Sequence, residues 1–167
     1  LIKDCGLSVS LHPFQDETLI TGSTLMNFNI HDNSYCSYIK SLPNGHKECV
    51  SQQKKVFNQC CQTNESFCDI CYAGVKEYIY LLHNKESIIG FISVSGYACD
   101  NKEQYISFIS EQFDCNLDSV SREYNKLKAN IPDKKRIDTL ILPLCKMLEL
   151  AYLKEIKDPQ AASLNEA

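Results

Sequence analysis

Cysteine is the residue type that first suggests chemistry in this sequence. Cys68-Asp69-Ile70-Cys71 is a C-x-x-C, with Cys60-Cys61 just before it and Cys36 and Cys49 further back. A zinc knuckle needs a second such pair, or two histidines at close spacing, and His46 and His83 are not spaced as ligands. A redox pair belongs at a strand-to-helix junction, where the helix N-terminus lowers a thiol pKa. Cys68 and Cys71 instead fall in a strand-like run ahead of a glycine. Buried or incidental thiols are one reading. A metal or redox site built from Cys36, Cys49, Cys68 and Cys71 is the rival. Cysteine–histidine catalysis, with His31, His46 or His83 as base, has no local signature to support it. No glycine-rich phosphate loop, H-E-x-x-H or paired-carboxylate motif occurs.

A second set of candidates is polar and uncharged. Asn27, Asn29 and His31 alternate along one extended stretch. Ser93 and Ser95 alternate with Ile92 and Val94 on another, and Tyr72, Tyr78 and Tyr80 lie between. If the sheet has one solvated face, these residues point to water. If a few point inward, they line a small apolar pocket with placed donors and acceptors, suited to a neutral polar ligand such as a diol.

The elements that must position these residues can be read from periodicity. Gly6 to Leu11 alternates as a strand, and Leu25 to Ile30 is a weaker one. Asp32, Asn33 and Ser34 offer N-cap chemistry for a helix through Tyr35 and Ile39. Pro43-Asn44-Gly45 makes a turn before a second helix over residues 46–62. Phe67 to Tyr72, Lys76 to Leu82 and Ser87 to Ser95 read as strands, the last two joined as a hairpin through a polar turn at residues 83–86. Helical patterns follow from Asn101. The last repeats Ile137, Ile141, Leu144, Leu148 and Ala151 at steps of four and three, a seam that either packs on its own domain or joins two copies as a homodimer, with Pro143 predicted to kink it. This order gives an α+β fold, an antiparallel sheet with helices on one side and C-terminal helices, of which a PAS-like layout is one instance. Residues 1–157 form the expected domain and residues 158–167 a linker-like tail.

Composition narrows the classes. A chain of 167 residues is the size of one domain and can bury a core without staples. Its formal net charge of −4 disfavours direct nucleic-acid binding, and no apolar run is long enough for a membrane span. Ten cysteines in a chain that needs no disulfides point to a reducing cytoplasm.

The motifs resemble those of the PocR sensory-domain family. Tyr35-Cys36-Ser37-Tyr38-Ile39-Lys40-Ser41, Cys49, Cys71-Tyr72-Ala73-Gly74-Val75-Lys76-Glu77, Ile89-Gly90-Phe91-Ile92 and Ser95-Gly96 carry the resemblance. Cys36, Cys49, Cys71, Ala73 and Gly74 fall on its pattern in order. Tyr72 stands where the family usually has His, Val75 where it has Leu, and Tyr97 where it has Gln. The first departure puts a metal or proton role at that position in doubt. The resemblance implies a PAS-like, non-enzymatic ligand-binding domain of bacterial transcription regulators, needing no cofactor and sensing small hydrocarbon derivatives such as propanediol or glycerol. It also implies a covalently linked output domain, often an AraC-type helix-turn-helix. The expected ligand contacts are Cys71, Tyr72, Tyr80, Ser93, Ser95, Asn29 and His31.

Overall fold

A computed structural model describes residues 8–13, 33–85, 87–128 and 134–157, with side chains as far as residue 153. Among the described residues, four strands form one antiparallel sheet in the order β1-β4-β3-β2: β1 (Ser8–Pro13), β2 (Phe67–Ile70), β3 (Val75–Asn84) and β4 (Ser87–Ala98). The same residues form five helices: α1 (Ser34–Ser41), α2 (Gly45–Thr63), α3 (Lys102–Gln112), α4 (Leu117–Tyr124) and α5 (Lys134–Lys157). The fold is therefore α+β, with a C-terminal helix packed on the sheet. The weak strand expected at residues 25–30 and the tail at 158–167 lie outside the described residues, as do Asn29 and His31.

Local chemistry starts and stops these elements. Asn33 caps α1, its Oδ1 accepting from the Cys36 N–H at 2.8 Å. Gly45 N–H donates to the Leu42 carbonyl at 2.9 Å, closing the turn that launches α2. The β3–β4 hairpin pairs as far as Asn84 with Ser87, so β3 takes two residues, His83 and Asn84, from the expected turn, and Lys85 takes φ 53° there. β2 ends at Ile70, two residues short of the expected strand. The reason is a reverse turn over Cys71–Gly74, in which Gly74 N–H donates to the Cys71 carbonyl at 2.9 Å. Gly74 holds φ 78°, and a Cβ there would come within 2.5 Å of the Tyr105 ring, so only glycine fits.

Both faces of the sheet are covered, which corrects the expectation of a solvated face. β4 is buried continuously from Ile89 to Tyr97. On one face, Leu11, Tyr80, Leu82, Ile92 and Val94 pack against Ile137, Ile141 and Cys145 of α5. Each such fully buried aliphatic side chain contributes about 1.5–3 kcal/mol. The seam of α5 from Ile137 to Leu148 is thus used on its own domain, while Ala151 is exposed and Pro143 lies within α5 without ending it. Tyr80 donates to Asp138 Oδ1 at 2.7 Å and the His83 N–H donates to Glu149 Oε1 at 3.0 Å, fastening α5 to β3.

On the other face, Ile79, Leu81 and Phe91 pack with Val56 and Cys60 of α2. A third cluster joins Tyr35 and Ile39 of α1 to Val75, Ile109, Val120 and Tyr124. A bulge sits on β4 at Gly96, which has φ 118° and is unpaired where Lys76 and Glu77 of β3 pair with Tyr97 and Ser95. The extra residue reverses the alternation beyond it, so Ser95 faces the α2 side while Tyr97 joins the α5 side. β4 accordingly runs past the expected end at Ser95 to Ala98.

Candidate functional site

The strand register assigns the site to the α1–α2 face. Ser8 pairs with Ser95, Ser10 with Ser93 and His12 with Phe91, while Glu77 lies opposite Ser95 across the β3–β4 ladder. These residues share a face because strand side chains alternate. His12 stacks on Phe91 with ring centroids 4.5 Å apart and shares a hydrogen bond with Ser10 Oγ at 2.9 Å.

A cavity opens between this face and the two helices. α1 contributes Cys36, Ile39 and Lys40; α2 contributes Cys49, Gln52, Gln53 and Val56. The turn supplies Cys71, Tyr72 and Ala73, and the sheet supplies His12, Glu77, Phe91 and Ser93. The space open to the centre of a water-sized sphere is about 20 Å³. One water needs about 10–15 Å³ on that measure, so the cavity suits only a small guest.

The turn that carries Cys71 is held from three helices. Tyr35 Oη donates to the Ala73 carbonyl at 3.0 Å, and Tyr124 Oη to the Gly74 carbonyl at 2.6 Å. Tyr72 Oη donates to the Gly45 carbonyl at 3.0 Å, at the start of α2. Tyr72 at the position where His was expected thus serves as a hydrogen-bonded brace.

Electrostatics make the cavity largely neutral. Burial pushes the Cys36 thiol up to about 11, and burial also raises Cys49 and Cys71, so all three are protonated at neutral pH. Such thiols are weak donors and poor nucleophiles. The exceptions are Lys40 and Glu77, the latter only 6% exposed. Burial raises its carboxyl to about 7 and Asp69 adds to the rise, while the Ser93 hydroxyl and Lys40 lower it. Ser93 and Ser95 are 1% and 0% exposed. Neither Oγ reaches a hydrogen-bond partner at full geometry, although Ser93 stands close enough to Glu77 to influence it.

Of the residues read from the sequence, Cys71, Tyr72 and Ser93 come together at the cavity, and Ser95 lies buried beside it opposite Glu77. Tyr80 does not join them: its side chain is on the opposite face, committed to Asp138. Cys36 and Cys49 line the cavity with Cys71, but Cys68 is exposed on the edge strand β2. The four-cysteine set is therefore not assembled. Among the described residues every cysteine is a free thiol, and no group of three or more His, Cys, Asp or Glu side chains is placed to hold a metal ion.

Comparison with known families decides what this arrangement belongs to. Residues 10–152 match the family described as the sensory domain found in PocR. The chain belongs to the PocR sensory-domain family. Neither a curated protein nor a solved structure matches it. The match spans every residue of the cavity, from His12 to Ser93, and α5 as far as Tyr152. PocR domains are non-catalytic small-molecule sensors, which agrees with protonated thiols and a small cavity. Among the described residues no helix is long and apolar enough to cross a membrane.

His12, Gln52 and Gln53 escaped the sequence reading, while Lys40 and Glu77 lay inside the motifs of the resemblance without being assigned to the ligand. Glu77 had a visible signal: it alternates with Ile79 and Leu81, a lone acid on an apolar register.

Proposed function

We propose that this PocR domain binds a small neutral polyol, with propanediol and glycerol the leading candidates, in the cavity between α1, α2 and the sheet. The observation that carries the reading is the Ser93 hydroxyl, buried at the cavity wall beside Glu77 without a full partner. A buried hydroxyl that lacks a partner costs about 1–3 kcal/mol, and a guest hydroxyl can both donate to it and accept from it. Cys71 and Tyr72 would complete the polar lining, and Ile39, Val56 and Phe91 would take the carbon skeleton. Ligand contacts to β3 and β4 act on the strands whose other face seats α5. Binding would favour one arrangement of sheet and α5 and bias an attached output domain, of the DNA-binding type common beside such sensors. The free thiols suit a reducing cytoplasm.

The test is a thermal-shift panel of C2–C4 diols and glycerol. A ligand at a hundredfold over its Kd, binding only the folded form, adds about 2.7 kcal/mol of stability. Ser93→Val should abolish the shift, whereas Tyr80→Phe should leave it intact. No shift with any polyol at millimolar concentration contradicts the reading.

A further inference from the structure

We infer that Glu77 is the specificity-determining residue of the cavity: its carboxylate accepts a hydrogen bond from a hydroxyl group of a neutral ligand, and binding thereby releases a proton. This rests on the cavity being the ligand site, and it extends that reading to the ligand's charge class and to pH.

The geometry places one buried acid among neutral donors. Glu77 lines the cavity with Ser93, whose Oγ is buried and not fully partnered. The charged and titratable groups around Glu77 can be named element by element: His12 on β1, Cys36 and Lys40 on α1, Cys49 on α2, Asp69 on β2, and Cys71 in the turn. With the thiols protonated, the side chains along the cavity that can carry charge, among the described residues, are the acid Glu77 and the bases Lys40 and His12. A neutral guest leaves that balance undisturbed. A carboxylate would sit against Glu77, and an alkylammonium would meet Lys40.

Ionisation of Glu77 near pH 7 supplies the second half of the inference. A guest hydroxyl that donates to the carboxylate stabilises its charged form. The guest therefore binds best when Glu77 has lost its proton, and protonated Glu77 gives that proton to the buffer on binding. Apparent affinity scales with the competent fraction, so binding should be about tenfold tighter at pH 8 than at pH 6. At pH 7 roughly half a proton should leave per ligand bound. A histidine ring also changes charge in this range, so His12 needs its own control.

The experiment is calorimetric titration of the 167-residue chain with 1,2-propanediol, glycerol, 1-propanol, propylamine and propionate at pH 6, 7 and 8, in buffers of different ionisation enthalpy. The expected result is tightest binding by a neutral hydroxyl compound, a tenfold gain from pH 6 to pH 8, and proton release in wild-type protein. Glu77→Gln should flatten the pH profile, and His12→Gln should keep its slope. If 1-propanol binds with this profile and the polyols do not, the polyol reading fails while the role of Glu77 stands. A flat wild-type profile, an unchanged slope in Glu77→Gln, or tightest binding by propionate or propylamine overturns the inference. The proton-release measurement needs no variant, so a misfolded Glu77→Gln does not protect it.

Discussion

Glu77 sets a conflict that its neighbours only partly relieve. Its carboxyl is buried, Ser93 and Lys40 favour the charged form, and burial with Asp69 favours the neutral one more. A raised carboxyl pKa means that the folded chain holds the proton more tightly than the unfolded chain. The resulting stability is fully present below about pH 4.5 and is lost as pH rises to about 7. A shift of this size is on the order of 3 kcal/mol for a group so well buried. Glu77→Gln, which keeps the shape without the charge, should therefore melt higher than wild type in ligand-free protein. The gap should widen from pH 5 to pH 8 in a melting series, and a constant gap would show that Glu77 ionises freely. The same residue shows what the sequence hides. Ser93, Cys71 and Tyr72 were readable as uncharged polar residues in or beside strands, whereas acidic and basic side chains default to the surface in any reading of single residues. Only the register, with Glu77 in step with Ile79 and Leu81, betrays it. Register also explains why Tyr80 stands apart from the cavity: it is out of step with Glu77 and points to α5.

Among the elements, the Cys71–Gly74 turn bears most on the site, because it ends β2, starts β3 and presents Cys71, Tyr72 and Ala73 to the cavity. Its hydrogen bonds to Tyr35 and Tyr124 and its brace to Gly45 tie it to α1, α4 and α2. Gly74→Ala would force a Cβ into the Tyr105 ring at a positive φ. Left-handed strain and overpacking together should cost on the order of 3 kcal/mol, read as a lower denaturant midpoint with an unchanged slope. A loss below about 0.5 kcal/mol would mean that the turn relaxes freely. Helix and strand identities followed from periodicity because each element has a marked apolar stripe. What periodicity could not supply was the partner of each stripe. The seam of α5 has the spacing of a two-helix contact, yet the sheet face carrying Tyr80, Ile92 and Val94 takes it first. The bulge at Gly96 was likewise illegible, since one inserted residue changes facing without changing composition.

At the scale of the whole molecule, the sheet is a partition. The cavity and the two helices that close it lie on one side, α5 lies on the other, and β3 and β4 touch both. A guest on Glu77 and Ser93 is thus separated from α5 only by the thickness of the strands that carry those residues. The most direct test of this account is a crystal structure of the chain with 1,2-propanediol bound. It should show the diol between α1, α2 and the sheet, with one hydroxyl within hydrogen-bonding distance of both the Glu77 carboxylate and Ser93 Oγ. Ordered diol on the α5 face beside Tyr80, or an empty cavity at saturating diol, would contradict it.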